Sequence, residues 1–197
     1  MELVLALLAA YVIGSINFAV FVARMHGVDI RQEGSGNPGM SNVLRTVGKV
    51  PAAMVLAGDV VKGVAGAYAG LIASGTTDFL SPWAFAGGFA AVVGHCYPIF
   101  HKFRGGKGVA TGAGVALFTM PVVAAIVIAG WFLMVRVMKL ASVASLIAVA
   151  ASVPLALWQG IGTEALIWFL ATIVLIVWRH KANIERVFSG SEQKVSS

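Results

Sequence analysis

Charge is what this 197-residue chain has least of. Asp, Glu, Lys and Arg together make up 11% of it, against about 25% in an ordinary soluble domain. Hydrophobic residues make up 59%, so composition points to a polytopic membrane protein and leaves no room for a separate soluble domain. Residues 1–197 therefore read as one integral membrane domain, with no nucleic-acid partner expected. Cysteine is nearly absent. Cys96 stands alone, which excludes an intrachain disulfide framework and a cysteine-built metal site. The eight acids and four histidines are scattered, without HExxH or paired-carboxylate spacing, so neither a metal nor a cofactor is expected. The N-terminus lacks a basic region ahead of its apolar run and a small-residue cleavage site. Leu3–Ala23 thus reads as a retained first span rather than a signal peptide.

Further apolar stretches run over Pro51–Ala73, Pro82–Tyr97, Leu140–Trp158 and Glu164–Trp178, with a Pro121-interrupted stretch, Val109–Val135, between them. Charge decides how the interrupted stretch is read. Every base except Lys62 falls in one of four cytoplasmic-loop candidates, about residues 24–50, 98–108, 136–140 and 179–197. If Val109–Met120 and Val122–Val135 cross separately, all four lie on one side, and the opposite loops carry only the acids Glu2, Asp78 and Glu164. The positive-inside rule then makes the basic side cytoplasmic. The expected fold is all-α with seven transmembrane helices, the fourth short, the N-terminus external and the C-terminus cytoplasmic. The fourth spans only about 18 Å at about 1.5 Å per residue, so the loop before it should be recessed. Backbone at that depth must line a polar cavity or be buried in protein. Small residues four apart (Gly66 and Gly70, Ala84 and Gly88, Gly108 and Gly112) suit close helix packing.

Three polar stations interrupt this apolar chain. The first, Gly34-Ser35-Gly36-Asn37-Pro38-Gly39, leads into Met40-Ser41-Asn42-Val43-Leu44-Arg45. Its Gly and Asn residues permit tight turns. A helix from Met40 puts Asn42 and Arg45 on one face, where Arg45 can fork onto a phosphate. A plain connector needs no such run. The second station ends in Gly105-Gly106-Lys107-Gly108-Val109. It is not a Walker A loop, because His101 and Gly108 stand where that motif needs Gly and Ser or Thr. What remains is a glycine cradle opening a helix, with Lys107 as a point charge for an anion. His95, upstream of the cradle, reads either as a base or as a helix-capping donor. The third station, Arg179-His180-Lys181-Ala182-Asn183 through Arg186, puts His180 and Asn183 on one face. Taken alone it reads as a basic tail for anionic lipid. Inside the second span Asp59 and Lys62 lie one turn apart, either as a self-neutralising pair or as functional charges.

These stretches, in this order and spacing, closely resemble the bacterial acyl-phosphate:glycerol-3-phosphate acyltransferases over essentially the whole chain. The resemblance rests on Ser35-Gly36-Asn37-Pro38-Gly39…Asn42…Arg45, on Asp59…Lys62-Gly63, and on Gly94-His95…Tyr97-Pro98…Phe103…Gly105-Gly106-Lys107-Gly108-Val109-Ala110-Thr111. It extends to His180…Asn183-Ile184…Arg186. Met40-Ser41 replaces a usual Ala-Thr, and Val187 a common Leu. The resemblance implies transfer of a long acyl chain from acyl phosphate to the 1-hydroxyl of glycerol 3-phosphate. The products would be lysophosphatidic acid and phosphate, as the first step of phospholipid synthesis at the cytoplasmic face of the bacterial inner membrane. It implies partners in glycerol 3-phosphate, long-chain acyl phosphate, membrane lipids and the enzyme that supplies the acyl phosphate. It implies catalytic or substrate-binding roles for Ser35, Arg45, His180 and Asn183. Substrate binding is implied for Gly34, Asn37, Asn42, His95, Gly105, Gly106, Lys107 and Gly108.

A mixed anhydride carries its own leaving group, so no acyl-enzyme is required and direct attack is expected. His180, His95 or the substrate's phosphate can take the proton. A transporter for an organic phosphate would share a basic cavity and a broken span. It would be expected to show related halves, and none is evident in this sequence.

Overall fold

The computed structural model describes residues 1–195 and is all-helical over them. The expected first span is not one helix. It divides into α1 (Glu2–Gly14) and α2 (Phe18–Met25), broken over residues 15–17. The physical reason is Asn17, whose side chain accepts from the Val20 N–H at 3.1 Å and so caps a new helix. The carbonyl of Ile16, left over at the break, accepts from Lys62 Nζ at 2.9 Å.

A short helix, α3 (Met40–Thr46), follows the first polar station. The central helix α4 (Lys49–Ser74) then packs against α1, against α5 (Pro82–Cys96) and against α6 (Val109–Thr119). Ser81 caps α5 through the Ala84 N–H at 3.3 Å. The expected small-residue packing is present. A Cβ on Gly70 would strike the Trp83 carbonyl of α5, and one on Gly66 would strike Ala91. Backbones approach this closely only where side chains are missing.

The interrupted stretch is two helices, as the charge argument requires: α6 of 11 residues, then α7 (Pro121–Met138), which starts on its proline. Next come α8 (Ala141–Trp158), α9 (Thr163–Arg179) and, bent by 51° from it, α10 (Lys181–Phe188). By length and composition five segments can cross a bilayer, and six if α9 and α10 count as one; α6 is a shorter apolar helix. The α7–α8 hairpin pairs mainly with itself and stands partly away from the α4–α5–α6 body. Apolar side chains such as Ile126, Leu133 and Val137 face outward from α7, as they would toward lipid.

Candidate active site

The first station folds around Asn42, which is 2% exposed. Its Nδ2 donates to the carbonyls of Ile30 (3.1 Å) and Glu33 (2.9 Å). Its Oδ1 accepts from the Ser35 N–H (2.9 Å) and from Arg45 Nη1 (3.2 Å). Two donors and two lone pairs are all a carboxamide offers. Asn42 therefore holds the loop and aims Arg45, and the expectation of a substrate contact for it gives way to this role. Gly34, with φ +57°, presses on the same carboxamide, where a Cβ would collide with Oδ1. It shapes the loop and does not line the site.

The second station also differs in detail. The amides of Gly105 and Gly106 donate back to the carbonyls of Cys96 (3.2 Å) and His95 (3.1 Å) at the end of α5. Their own carbonyls accept from Arg179, through Nη2 to Gly105 (2.9 Å) and Nε to Gly106 (3.1 Å). Arg179 also stacks on Tyr97, 5.1 Å from the ring centre. Neither glycine lines the hollow or offers an N–H to an anion; together they place Lys107. What is left for an anion is the amide-rich start of α6 from Lys107 to Ala110, where the helix dipole is positive. Gly108 caps that start at φ +88°. Gly106 must stay bare for a second reason: a Cβ there would run into His95 Nε2.

His95, at the end of α5, is 6% exposed and makes no capping hydrogen bond through its ring. Its Nδ1 lies 3.4 Å from Asp59 Oδ1, which pairs with Lys62 at 2.8 Å. Asp59 and Lys62 are each 2% exposed. Lys62 also secures the broken first span, so the pair is more than a means of inserting two charges. It ties α2's approach, α4, α5 and the second station into one unit.

The third station brings α9 and α10 to the same place. His180 Nδ1 donates to the Ile176 carbonyl at 2.7 Å. In the neutral ring this leaves Nε2 as an acceptor. Asn183, one turn on, donates from Nδ2 to Glu192 Oε1 at 2.7 Å. Ser35, Asn37, Asn42, Arg45, His95, Lys107, Gly108, His180 and Asn183 all border a single cavity of about 400 Å³. Beyond this polar mouth the cavity continues between α6, α9 and the α7–α8 hairpin. Val123, Val127, Phe132, Ala148 and Phe169 line that apolar limb, and Trp131 Nε1 braces its wall by donating to Ser145 Oγ at 3.0 Å.

Burial pushes the Lys107 ammonium down to about 8; Glu192 opposes this, while Arg186, Arg179 and Arg45 add to it. Burial likewise lowers His180 to about 4 against the Ile176 hydrogen bond, with Lys107 adding to the fall. Arg45 is lowered by burial, partly offset by Glu192. For Glu192 burial acts upward, but hydrogen bonds from Ser142, Asn183 and Arg186 outweigh it and hold the carboxyl below its ordinary value.

Sequence reasoning missed Arg179, Ser142 and Glu192. Arg179 looked like one more membrane-edge base. Ser142 gave no signal. Glu192 is one of two acids, with Glu185, in a basic tail, a signal without weight until the tail is seen to fold back.

A polytopic helical membrane protein with a cationic hollow opening into an apolar limb is the class this arrangement defines. The glycerol-3-phosphate acyltransferase family model matches residues 4–190, and the chain belongs to that family. It is 43% identical over 186 residues to the glycerol-3-phosphate acyltransferase of Pseudomonas paraeruginosa, covering 93% of this chain and 95% of that one. To the enzyme of the same description from Rubrobacter xylanophilus it is 39% identical over 196 residues, covering 97% and 94%. Its fold matches the crystal structure of PlsY (YgiH), an integral membrane glycerol 3-phosphate acyltransferase. The glycerol 3-phosphate form gives a TM-score of 0.91 at 34% identity, covering 100% of this chain and 96% of that one. The lysophosphatidic acid form gives 0.89 at 34% identity, covering 98% and 95%. The chain is thus an acyltransferase, and residues 191–195 lie beyond the family match.

Proposed function

We propose that the protein transfers a long acyl chain from acyl phosphate to the 1-hydroxyl of glycerol 3-phosphate, releasing phosphate and lysophosphatidic acid. The observation that carries this is the meeting of Ser35, Arg45, Lys107, His180 and Asn183, from three distant segments, at the mouth of one apolar-limbed cavity. A water-soluble phosphate and a lipid tail require those two halves side by side.

In this reading Arg45, Lys107 and the amides opening α6 hold phosphate groups, and Ser35, Asn37 and Asn183 orient the glycerol. The acyl tail lies in the limb between α6, α9 and the α7–α8 hairpin. The acceptor hydroxyl attacks the acyl carbon directly, its C–O bond forming as the bond to phosphate breaks. Fixed cations stabilise the charge that moves onto the departing phosphate. His180, lowered to about 4, is a weaker proton acceptor than a phosphate with a second pKa of about 6. The proton therefore passes to a substrate phosphate oxygen, while His180 Nε2 orients the hydroxyl.

The topology that fits is seven crossings, α6 being the short fourth. The N-terminus would then be external, and the three stations would face the cytoplasm across the inner membrane. This would be the first step of phospholipid synthesis, fed by the enzyme that makes acyl phosphate. The test is purified protein in detergent with acyl phosphate and glycerol 3-phosphate, free of CoA thioesters and magnesium. Stoichiometric phosphate and lysophosphatidate are expected; turnover with acyl-CoA alone would overturn the donor assignment.

A further inference from the structure

After α10 the chain turns back over the hollow. The Ser191 N–H donates to the Arg186 carbonyl at 2.8 Å. This puts Glu192 inside, its Oε1 accepting from Ser142 Oγ (2.8 Å) and Asn183 Nδ2 (2.7 Å) and its Oε2 from Arg186 Nε (2.8 Å). The strap is fastened by two further contacts: Arg45 Nε donates to the Lys194 carbonyl at 3.3 Å, and the Val195 N–H to the Lys139 carbonyl at 2.8 Å. Ser191, Gln193 and Lys194 remain exposed.

A carboxylate among Arg45, Lys107 and Arg186 stands where an anionic ligand would bind. The other carboxylate bordering the cavity, Asp59, is already paired with Lys62. Without an anion, three cations would share a recessed space at a repulsive cost.

We propose that Glu192 is the resident counter-anion of the acceptor's phosphate site, and that glycerol 3-phosphate binds by displacing it and releasing the strap of residues 189–195. This rests on the reading that the hollow takes the acceptor's phosphate. A phosphate carrying about −1.5 to −2 charges with three acceptor oxygens outcompetes a single carboxylate for the same donors. Neutral glycerol does not. Glu192 thereby sets the acceptor's apparent affinity and excludes uncharged polyols, because an occupied competitor must leave first.

Two variants and one label test it. Glu192→Gln removes the charge, and a chain ending at Gly190 removes the strap. In both, KM for glycerol 3-phosphate should fall, by about tenfold for the first, equivalent to about 1.4 kcal/mol, while KM for acyl phosphate holds. Lys194→Cys, read against the buried Cys96, should react faster with a water-soluble maleimide when glycerol 3-phosphate or inorganic phosphate is added. An unchanged or raised KM in both variants, or labelling that phosphate leaves alone or slows, overturns the proposal. Wild-type protein that fails to acylate glycerol 3-phosphate would overturn the functional reading instead; the inorganic-phosphate labelling still judges the strap.

Discussion

Raising the pH from 7 to 9 should switch off acceptor capture by removing one proton, the one on Lys107. Burial brings that ammonium to about 8, whereas an exposed lysine stays charged to about 10.4. Phosphate capture uses the charged form, so the sign is a loss of kcat/KM as pH rises. A group with a pKa of about 8 is charged in about nine-tenths of molecules at pH 7 and just under one-tenth at pH 9, a fall of about tenfold. His180, lowered to about 4, is neutral throughout, and the acceptor's phosphate, with a second pKa of about 6, is already a dianion. The assay is kcat/KM for glycerol 3-phosphate at saturating donor over pH 6.5–9.5. Lys107→Arg keeps its charge to above about 12, so its absolute rate falls with the altered geometry but its alkaline limb vanishes. Lys107→Ala loses a charge-assisted contact of about 1.5–3 kcal/mol, or about 10- to 100-fold in kcat/KM. A limb persisting unchanged in Lys107→Arg, or a flat wild-type profile, would refute this reasoning.

Arg179→Gln should raise KM for glycerol 3-phosphate about tenfold or more, because two carbonyls of the cradle lose a charge-assisted donor. Arg179→Lys should restore little, since one ammonium cannot span both; restoration to wild-type values would show that only charge matters there. Asp59→Asn should lower stability by about 3–5 kcal/mol by leaving Lys62 buried beside a neutral partner. Adding Lys62→Met should recover part of that in a thermal-unfolding assay, and strictly additive losses would contradict the pairing. Ala148→Leu, which narrows the apolar limb, should shift the preferred acyl phosphate to shorter chains in a competition assay. An unmoved preference would place the tail elsewhere.

Much of the frame was legible in the sequence because its signals are local. Pro82 and Pro121 open helices, Gly108 caps one, and small residues four apart mark the tight crossings of α4 with α5. The break near Met120 followed from charge placement, and Asn42 and Arg45 did share a face. Tertiary partners were not legible. Asn17 ended the first helix because Lys62, 45 residues on, was there to satisfy the freed Ile16 carbonyl. The glycines of the second station looked like anion donors. The amides of Gly105 and Gly106 instead met carbonyls of α5, and Arg179, 73 residues beyond Gly106, took the other side. The packing of Asp59 and Gly106 against the His95 ring was not legible either. Glu192 reached the hollow through a strap whose path depends on the α7–α8 loop.

The account stands on three distant segments sharing one recessed cationic pocket. The most direct measurement is the labelling of single cysteines at Asn37, Lys107 and Arg186 from either side of sealed, oriented membrane vesicles. All three should react with an impermeant reagent from the same face, the one that also exposes Lys49 and Lys181. Reaction of any one of them from the opposite face would contradict it.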